Sequence, residues 1–444
     1  MSKSYDTRRL INYTRDKDLF RRYCSLAKAY GDEAAPVSFK HRRVTAIVNP
    51  LAKDGAAAAL FEKYGMPILT LAGLDVDVIK PESVDQFKEI VSLVDETEAD
   101  SIVVVGGDGS VALALTGILE HSVEEPSTSR QGVKRWTKIL PIGMFPGGQR
   151  NLSNKRLFEN GESDIKSYCE SMMAVINNTS KYVPVLKIQI DGEPIQYALS
   201  QLHWGPYCDT ESKVLKYWYW AGLKRKFAYF WNAIKRRPER GQIELNYTEP
   251  CSGCSKCKQK RIPKPVEWRW WHMLLGKPRT IEDTSQDFSH IINESCNRRH
   301  NFCIETVDFV AENEISKDYG SIKVTYGPRD IGRFSFIING WKRPAVTDGL
   351  DVLINNEGRQ SETEPGQIAQ NSETQQLQAK ELTIVPLMAQ ANNASSLSGN
   401  QRQSVWDTIE IDGTPIELKN RSIRVNVLPY LVPLFHTDRC YFKA

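Results

Sequence analysis

The stretch SIVVVGGDGS, residues 101–110, runs four consecutive apolar residues into the motif Gly-Gly-Asp-Gly. A continuous apolar run is expected of a parallel strand that is covered on both faces. Glycines at the end of such a strand allow a tight turn and the close approach of a ligand. A helix predicted from about Gly109 directs its free N–H groups at this turn, which favours phosphate. The stretch therefore predicts a phosphate site after a central strand.

Asp108 is the acidic residue of this loop. A carboxylate repels phosphate unless a divalent cation lies between them, or unless it faces a hydroxyl that is to be phosphorylated. Both arrangements indicate phosphoryl transfer. The structural alternative is a turn in which Asp108 caps the helix that begins at Gly109–Ser110.

Segments of strand and helix character alternate around this loop. Residues 43–49 and 75–80 read as strands, and 84–96 has helical spacing. The alternation predicts a doubly wound α/β nucleotide-binding domain over 41–181, after a helical lead-in in 1–40. Such sheets bind ligands at the carboxyl ends of their strands. Asn49-Pro50 and FPGGQRN (145–151) are two further loops at such ends, and Arg150 is a candidate for offsetting phosphate charge.

The pattern changes to antiparallel strands after Tyr182. Asp191-Gly192 is a preferred two-residue hairpin turn between two alternating runs. Further strands are predicted at 301–310, 321–327, 333–340 and 422–429. We expect a C-terminal antiparallel β-sandwich domain over 182–444, with inserts at about 236–300 and 356–403. The second insert is rich in Gln, Asn, Ser and Glu and is predicted to be largely disordered.

Composition excludes some classes of function. The formal net charge of the 444 residues is only +4, which argues against a nucleic-acid partner. The sequence contains no apolar run near the roughly 18–20 residues of a membrane span. Residues 1–31 lack the apolar core of a secretory signal, and we expect them to form an ordinary leading helix.

Nine cysteines form no evident framework of secreted disulfides. CSGCSKC contains Cys251, Cys254 and Cys257, a spacing that can hold a metal if a fourth ligand is supplied from elsewhere. The candidates for that ligand are Cys208, His272, Cys296 and Cys303. Because structural zinc sites usually show two ligand pairs, we interpret the group as surface thiols.

Lysine and arginine alternate with aromatic residues over 213–240, and a similar stretch follows at 267–279. One interpretation is a surface that docks at lipid headgroups, with rings inserted and cations on anionic phosphates. The other is ordinary packing within the second domain, with the cations solvated. Aromatic spacing alone does not decide between them.

The three loops resemble, in order and spacing, those of the diacylglycerol kinase catalytic superfamily. Residues 55–80 and 202–230 resemble the acylglycerol kinase family within it. The resemblance implies an α/β domain beside a β-sandwich, with the site in the cleft between them. It also implies ATP- and Mg²⁺-dependent phosphorylation of a lipid hydroxyl. The expected substrates are monoacylglycerol and diacylglycerol, giving lysophosphatidic and phosphatidic acid, with sphingoid bases as further substrates.

The resemblance also implies the roles of individual residues. The catalytic residues would be Asp108, Asp209 and Asp412, with Mg²⁺ on Asp108 and Asp209. The nucleotide would contact the three loops, at Asn49, Gly106, Gly107, Asp108, Gly109, Ser110, Gly148, Arg150 and Asn151. Arg150 is included because its positive charge can offset that of a phosphate.

Three positions depart from the family pattern. Leu113, Leu152 and Thr414 stand where the family carries Glu, Asp and Glu. Asp412-Gly413 then reads as a hairpin turn, and Asp108, Glu410 or Glu417 would have to serve as the base, because threonine cannot do so near neutral pH. A catalytically degenerate, membrane-associated scaffold is therefore the alternative function.

The resemblance also bears on location and partners. It implies the mitochondrial inner membrane and intermembrane space, and it makes an inner-membrane carrier-import complex a possible partner of the scaffold form. The short apolar N-terminal anchor of the family is not found in this sequence. A soluble nucleotide kinase of NAD kinase type, which shares the Gly-Gly-Asp-Gly loop, is a third interpretation.

Overall fold

The computed structural model describes residues 2–32, 42–124, 139–158, 164–257, 290–314, 320–343, 374–387, 405–418 and 420–436. The helices are α1 Ser2–Gly31, α2 Ala56–Leu60, α3 Met66–Leu71, α4 Val84–Leu93, α5 Asp108–Glu124, α6 Leu152–Phe158, α7 Asp164–Asn177, α8 Pro206–Lys213, α9 Lys224–Lys235 and α10 Arg333–Lys342. Shorter 3₁₀ segments are Ala52–Gly55, Val214–Leu223 and Val405–Asp407, and a π-helical turn covers Phe61–Gly65.

Two sheets contain the strands of these ranges. The strands are β1 Arg43–Val48, β2 Asp75–Ile79, β3 Ser101–Gly106, β4 Ile142–Pro146, β5 Ser180–Ile190, β6 Gln196–Ala198, β7 Gln201–Trp204, β8 Gly241–Thr248, β9 Arg299–Thr306, β10 Phe309–Glu314, β11 Ser321–Tyr326, β12 Gln375–Ala379, β13 Glu381–Leu387, β14 Thr408–Ile411, β15 Thr414–Glu417 and β16 Ile423–Phe435.

The strands β2, β1, β3 and β4 form the parallel part of the larger sheet, in that order. All six residues of β3 are buried, as its continuous apolar sequence predicts. Their side chains join one core with α1, α5 and α7, to which Tyr23, Leu115 and Met172 contribute. The predicted α/β architecture is confirmed.

The same sheet continues from β4 through β16, β13, β8 and β9, and β5 also pairs with β16. A separate antiparallel sheet has the order β12, β11, β10, β7, β14, β15. A second core lies between the two sheets, with Leu186 and Ile243 from the first and Leu202 and Phe309 from the second. This is the expected β-sandwich.

One of the predicted strands is wrong, and another is divided into two. Residues 333–340 form α10, in which Phe336, Ile337 and Gly340 are buried at helical spacing. The predicted strand 301–310 is two strands, because β9 pairs with β8 in the larger sheet whereas β10 pairs with β7 in the smaller. In both cases apolar content indicated an extended segment and tertiary packing decided its form.

The predicted hairpin and inserts also require correction. Asp191-Gly192 occupies a turn, with Glu193 N–H donating to the Ile190 carbonyl, but β5 pairs with β6 only from Ile188 opposite Gln196. The first insert contains β8, and the segment predicted to be disordered contains β12 and β13. The aromatic stretch 267–279 and the remainder of that second segment lie outside the described residues.

Within the described ranges, no helix combines the length and the apolar character that crossing a bilayer requires.

Candidate functional site

The three predicted loops meet at one edge of the parallel strands. Asn49 follows β1, and its N–H donates to the Val105 carbonyl at 3.0 Å. Asn49 Nδ2 donates to Ser110 Oγ at 2.8 Å, and its Oδ1 accepts from Leu51 N at 3.0 Å. Asn49 therefore ties the first loop to the first turn of α5.

The backbones of Gly107 and Gly148 are in close contact. A Cβ on Gly107 would lie 2.5 Å from the Arg150 carbonyl oxygen, and one on Gly148 would lie under 3.0 Å from both Cα and N of Gly107. The Asp108 N–H donates to that carbonyl at 2.9 Å. These glycines are required by the contact between the two loops, in addition to any requirement of a ligand.

The carboxylate of Asp108 is buried, with 3% of the residue exposed. Its Oδ2 accepts from Leu152 N at 2.7 Å and its Oδ1 from Ser153 N at 2.9 Å. Asp108 therefore caps the N-terminus of α6. A capping role was one of the two interpretations, but the capped helix is not the one that begins at Gly109–Ser110.

Asp412 is the first residue of a two-residue turn between β14 and β15, with Ile411 opposite Thr414. Its φ of 44° and the 86° of Gly413 are typical of such turns. The carboxylate accepts from the N–H groups of the segment 199–201 at 2.7–3.1 Å. Burial is the largest cause that raises the pKa of Asp412 to about 7, and the negative charge of Asp108 acts in the same direction, whereas the N–H donors lower it.

Arg150 forms an ion pair with Glu410 of β14, whose side chain is 4% exposed. Glu410 Oε2 also lies 3.9 Å from the thiol of Cys208 in α8. The positive charge of Arg150 is thus already balanced by a carboxylate of the second sheet. A phosphate would have to displace that carboxylate from Arg150 or bind Arg150 together with it.

Asp209 lies in α8, outside the group formed by the loops. Its Oδ2 pairs with Lys213 Nζ at 2.6 Å and accepts from Asn232 Nδ2 at 3.3 Å, and its side chain is 22% exposed. The neighbouring Cys208 connects this helix to the Arg150–Glu410 pair. The structure thus brings together the predicted site residues except Asp209, which adjoins them through α8.

The three departures from the family pattern have distinct surroundings. Leu113 is half-buried and packs against the first core, and Leu152 is 4% exposed with its N–H donating to Asp108. Thr414 is exposed, with its Oγ1 3.1 Å from where a Cβ on Gly109 would lie. Position 414 therefore stands directly beside the glycine loop.

A buried polar group beside α8 was not predicted. His203 Nε2 lies 2.9 Å from Asp308 Oδ1, and Arg343 donates to Asp308 Oδ2 at 2.7 Å. Burial alone would raise the pKa of Asp308, but Arg343 and His203 hold it at about 2. The Arg343 guanidinium lies 3.5 Å from the ring centroid of Tyr207. His203 and Tyr207 lie in the stretch 202–230 that resembles the acylglycerol kinase family, but Asp308 is 105 residues from His203, and nothing in the sequence indicates that the two are in contact.

The cysteine interpretation is corrected by the structure. Cys251, Cys254, Cys257 and Cys296 bring their sulfurs within 4.8 Å of one another. Cys254 and Cys296 are buried and the other two are half-buried, so the group is not one of surface thiols. Of the other proposed fourth ligands, Cys303 is exposed, Cys208 lies in α8, and His272 falls outside the described residues.

The aromatic–basic stretch contains both buried and exposed aromatic side chains. Tyr229 and Ala233 of α9 are buried against Phe336 of α10 and its neighbours. Other rings and aliphatic side chains of the same region are exposed by 38–83%. We call this set the aromatic face, and its members are Trp218, Tyr219, Trp220, Leu223, Phe230, Trp231, Ile234, Phe334, Ile338 and Trp341.

Comparison with known proteins identifies the family. Residues 43–187 match the diacylglycerol kinase catalytic domain, and residues 199–277 match the acylglycerol kinase C-terminal domain. An uncharacterized Caenorhabditis elegans protein, F52C9.3, is 34% identical over 75% of this chain and 74% of its own length. Mitochondrial acylglycerol kinase of Mus musculus is 33% identical, over 57% of this chain and 58% of the mouse protein.

A ceramide kinase of Mus musculus is 24% identical, over 55% of this chain and 50% of that enzyme. These two mouse relatives are both named as lipid kinases. The chain belongs to the acylglycerol kinase family of the diacylglycerol kinase superfamily. It spans little more than half of the length of the mouse acylglycerol kinase.

Proposed function

We propose that the protein transfers the γ-phosphate of ATP to the hydroxyl of monoacylglycerol or diacylglycerol, with sphingoid bases as further acceptors. The observation that carries the proposal is the junction of three loops at the carboxyl ends of β1, β3 and β4. An open α/β sheet binds its ligand at this edge, and the positive end of the α5 dipole, which favours phosphate, lies there. The matches to an acylglycerol kinase and a ceramide kinase support a lipid as the acceptor.

The nucleotide would lie on Asn49, the loop 106–110 and the loop 148–151. Mg²⁺ prefers oxygen ligands and is usually held by one or two carboxylates together with substrate phosphates. Asp209 fits this chemistry because its side chain is partly exposed, whereas both oxygens of Asp108 already accept N–H donors. The ion would neutralise charge on the transferring phosphate.

Asp108 and Asp412 then act together. Burial, and next to it the negative charge of Asp108, raises the pKa of Asp412 to about 7. A carboxylate with a pKa near 7 is suited to accept a proton from a hydroxyl, which makes Asp412 our proposed base. In the present conformation its oxygens accept N–H groups of the segment 199–201, so we expect this segment to shift when the acceptor binds.

Phosphate transfer from labelled ATP and Mg²⁺ to lipids in mixed micelles tests this function. The acceptors would be monoacylglycerol, diacylglycerol, sphingosine and ceramide. We expect transfer to an acylglycerol, and a loss of about 10²-fold or more in Asp108→Asn. Asp191→Asn, in an exposed Asp-Gly turn, is the matched control and should retain full activity.

Thr414 favours a second candidate function. An exposed threonine stands beside Gly109 where the family carries glutamate, which supports a degenerate kinase that acts as a scaffold, with an inner-membrane carrier-import complex as its proposed partner. Absence of transfer to every lipid, from protein with an unchanged circular dichroism spectrum, would favour the scaffold. Recovery of transfer in Thr414→Glu would then identify the lost carboxylate as the cause.

We further propose that the aromatic face docks on an anionic membrane surface, where the acceptor lipid resides. Trp218 is 78% exposed and Phe334 is 83% exposed. A group of exposed apolar side chains of this size usually marks an interaction site. Trp341 Nε1 donates to the Lys226 carbonyl at 3.1 Å, which joins α10 to α9. Exposed cations at Lys226, Lys235 and Lys342 lie among these rings, as headgroup binding requires.

Co-flotation with vesicles of phosphatidylcholine and cardiolipin tests this docking. Trp218→Ser combined with Phe334→Ser should reduce the bound fraction several-fold, because each buried ring contributes apolar area. Leu93→Ser removes a 62% exposed side chain outside the face and should leave binding unchanged. Equal binding by both variants would count against the face. The acylglycerol kinases of mouse and human are named as mitochondrial, which supports a mitochondrial location for this chain, and we propose the inner membrane and intermembrane space.

A further inference from the structure

Four thiols converge at one end of the pair formed by β8 and β9. These strands pair as far as Thr248 opposite Arg299. Cys251, Cys254 and Cys257 follow the end of β8, and Cys296 precedes the start of β9. The four sulfur atoms lie within 4.8 Å of one another, although 38 residues of sequence separate Cys257 from Cys296.

The distances fit four ligands of one metal ion better than disulfides. The sulfurs of Cys254 and Cys257 are 3.6 Å apart, whereas a disulfide bond is about 2.05 Å long. Four sulfurs at about 2.3 Å from a central zinc ion form a tetrahedron with edges of roughly 3.8 Å. The group is therefore close to the size of a four-thiolate shell.

The backbone around the cysteines supports such a shell. Gly253 adopts a φ of 144°, which most side chains disfavour, so the turn from Cys251 to Cys254 depends on glycine. Cys257 N–H donates to the Cys254 carbonyl at 3.2 Å, and the N–H groups of Lys256 and Cys257 reach the Cys254 sulfur. Hydrogen bonds from groups around the ligands, such as these, orient the ligands toward a metal ion.

The second segment contributes in the same way. Asn293 Nδ2 donates to the Cys251 sulfur at 3.4 Å, and Cys296 N–H donates to the Asn293 carbonyl at 3.4 Å. Ser255 N–H donates to the Ile291 carbonyl at 3.0 Å, which joins the two segments directly. Donors from both segments therefore surround the sulfurs.

We propose that Cys251, Cys254, Cys257 and Cys296 hold a structural Zn²⁺ ion. A shell of four sulfurs leaves no open position for water or substrate, so the ion would have no catalytic role. Binding releases the thiol protons to solvent, and four thiolates with one Zn²⁺ leave a net charge of −2. Lys256, Arg298 and Arg299 are exposed cations next to the ligands and would offset that charge. The ion would cross-link the chain where it leaves and re-enters the larger sheet.

Metal analysis of protein purified without chelator tests the site. We expect about one zinc per chain, falling below about 0.1 in Cys254→Ser and in Cys296→Ser. Cys303→Ser is the matched control, because Cys303 lies on β9 with an exposed thiol outside the group. Its zinc content should equal that of the unmodified protein.

Cobalt substitution covers the case in which a cysteine variant fails to fold. Co²⁺ added to the metal-free protein should give the visible and thiolate charge-transfer bands of a tetrahedral four-sulfur site. One equivalent of Zn²⁺ should then displace it. Absence of these bands in folded protein, one equivalent of iron instead of zinc, or disulfides among the four cysteines by mass spectrometry would each overturn the proposal.

Discussion

Asp308 and Asp412 are both buried aspartates, yet their pKa values are shifted in opposite directions. Asp308 faces the guanidinium of Arg343, and its pKa falls to about 2 although burial opposes this. Asp412 is buried among backbone N–H groups near a second carboxylate, and its pKa rises to about 7. Both residues lose their solvation, so the difference comes from their neighbours: Arg343 and His203 favour the charged form of Asp308, whereas the negative charge of Asp108 disfavours that of Asp412.

Asp308 should stabilise the protein above about pH 4 and lose this effect as the pH falls toward 2, because its pKa is lower in the folded than in the unfolded chain. Asp308→Asn leaves the buried Arg343 uncompensated and should lower the free energy of unfolding by about 3–5 kcal/mol at pH 7. Urea unfolding at pH 7, 4 and 3 measures both effects. The loss should shrink at pH 3, and a loss that does not change with pH would contradict the assignment.

Gly148 is the residue at which the two loops come closest. Gly148→Ala should weaken ATP binding at least about tenfold and lower the free energy of unfolding by about 1–3 kcal/mol, since the Gly107 backbone has to move. Isothermal titration with ATP and urea unfolding are the measurements. Gly222→Ala is the control, because no atom lies within 4 Å of a Cβ there.

At the scale of elements, the sequence predicted well wherever periodicity and burial agree. The segment 101–106 is apolar throughout because both of its faces are covered, and its prediction as a central strand is confirmed. The loops after β1, β3 and β4 were predicted because carboxyl ends of parallel strands share one edge. The capping of α6 by Asp108 was not predicted, because Leu152 and Ser153 lie 44 and 45 residues from Asp108 in the sequence.

Other elements depend on partners that the sequence does not reveal. β13 lies between β16 and β8, although the glutamine-rich residues before it indicated disorder. The fourth cysteine was one candidate among several, because only the pairing of β8 with β9 brings Cys296 to the others. α10 contains many residues typical of strands, and it is helical because its buried side meets α9.

α9 and α10 pack closely at Gly340. A Cβ at this position would lie under 3.0 Å from three atoms of the fully buried Tyr229 ring. Gly340→Ala should therefore lower the free energy of unfolding by about 1–3 kcal/mol, despite the higher helix propensity of alanine. Gly332→Ala, with its nearest neighbour at 3.9 Å, is the control for urea unfolding. Stabilisation by Gly340→Ala would contradict this packing.

At the scale of the whole molecule, β16 belongs to both hydrophobic cores. Leu434 lies in the first core and pairs with Ile142 of the parallel part, whereas Ile423 lies in the second core. One strand therefore connects the α/β part to the β-sandwich. Because the two parts share a sheet, we expect them to unfold together.

Leu434→Ala and Ile423→Ala should each lower the free energy of unfolding by about 2–5 kcal/mol. Each substitution should displace the urea transitions followed by far-ultraviolet circular dichroism and by tryptophan fluorescence to the same midpoint. Leu93→Ala, at an exposed position, should displace neither. Separate midpoints for the two probes would show that the cores are independent.

The hydrogen bond between Ser255 and Ile291 has a consequence for how this protein can change during evolution. The chain departs from the sheet and returns to it at a single point, so the number of residues between 257 and 290 has little influence on strand register. Lengthening a loop with fixed ends costs only about 0.6 kcal/mol for each doubling. We therefore expect replacements at this junction, including a grafted reporter domain, to leave the pairing of β8 with β9 unchanged.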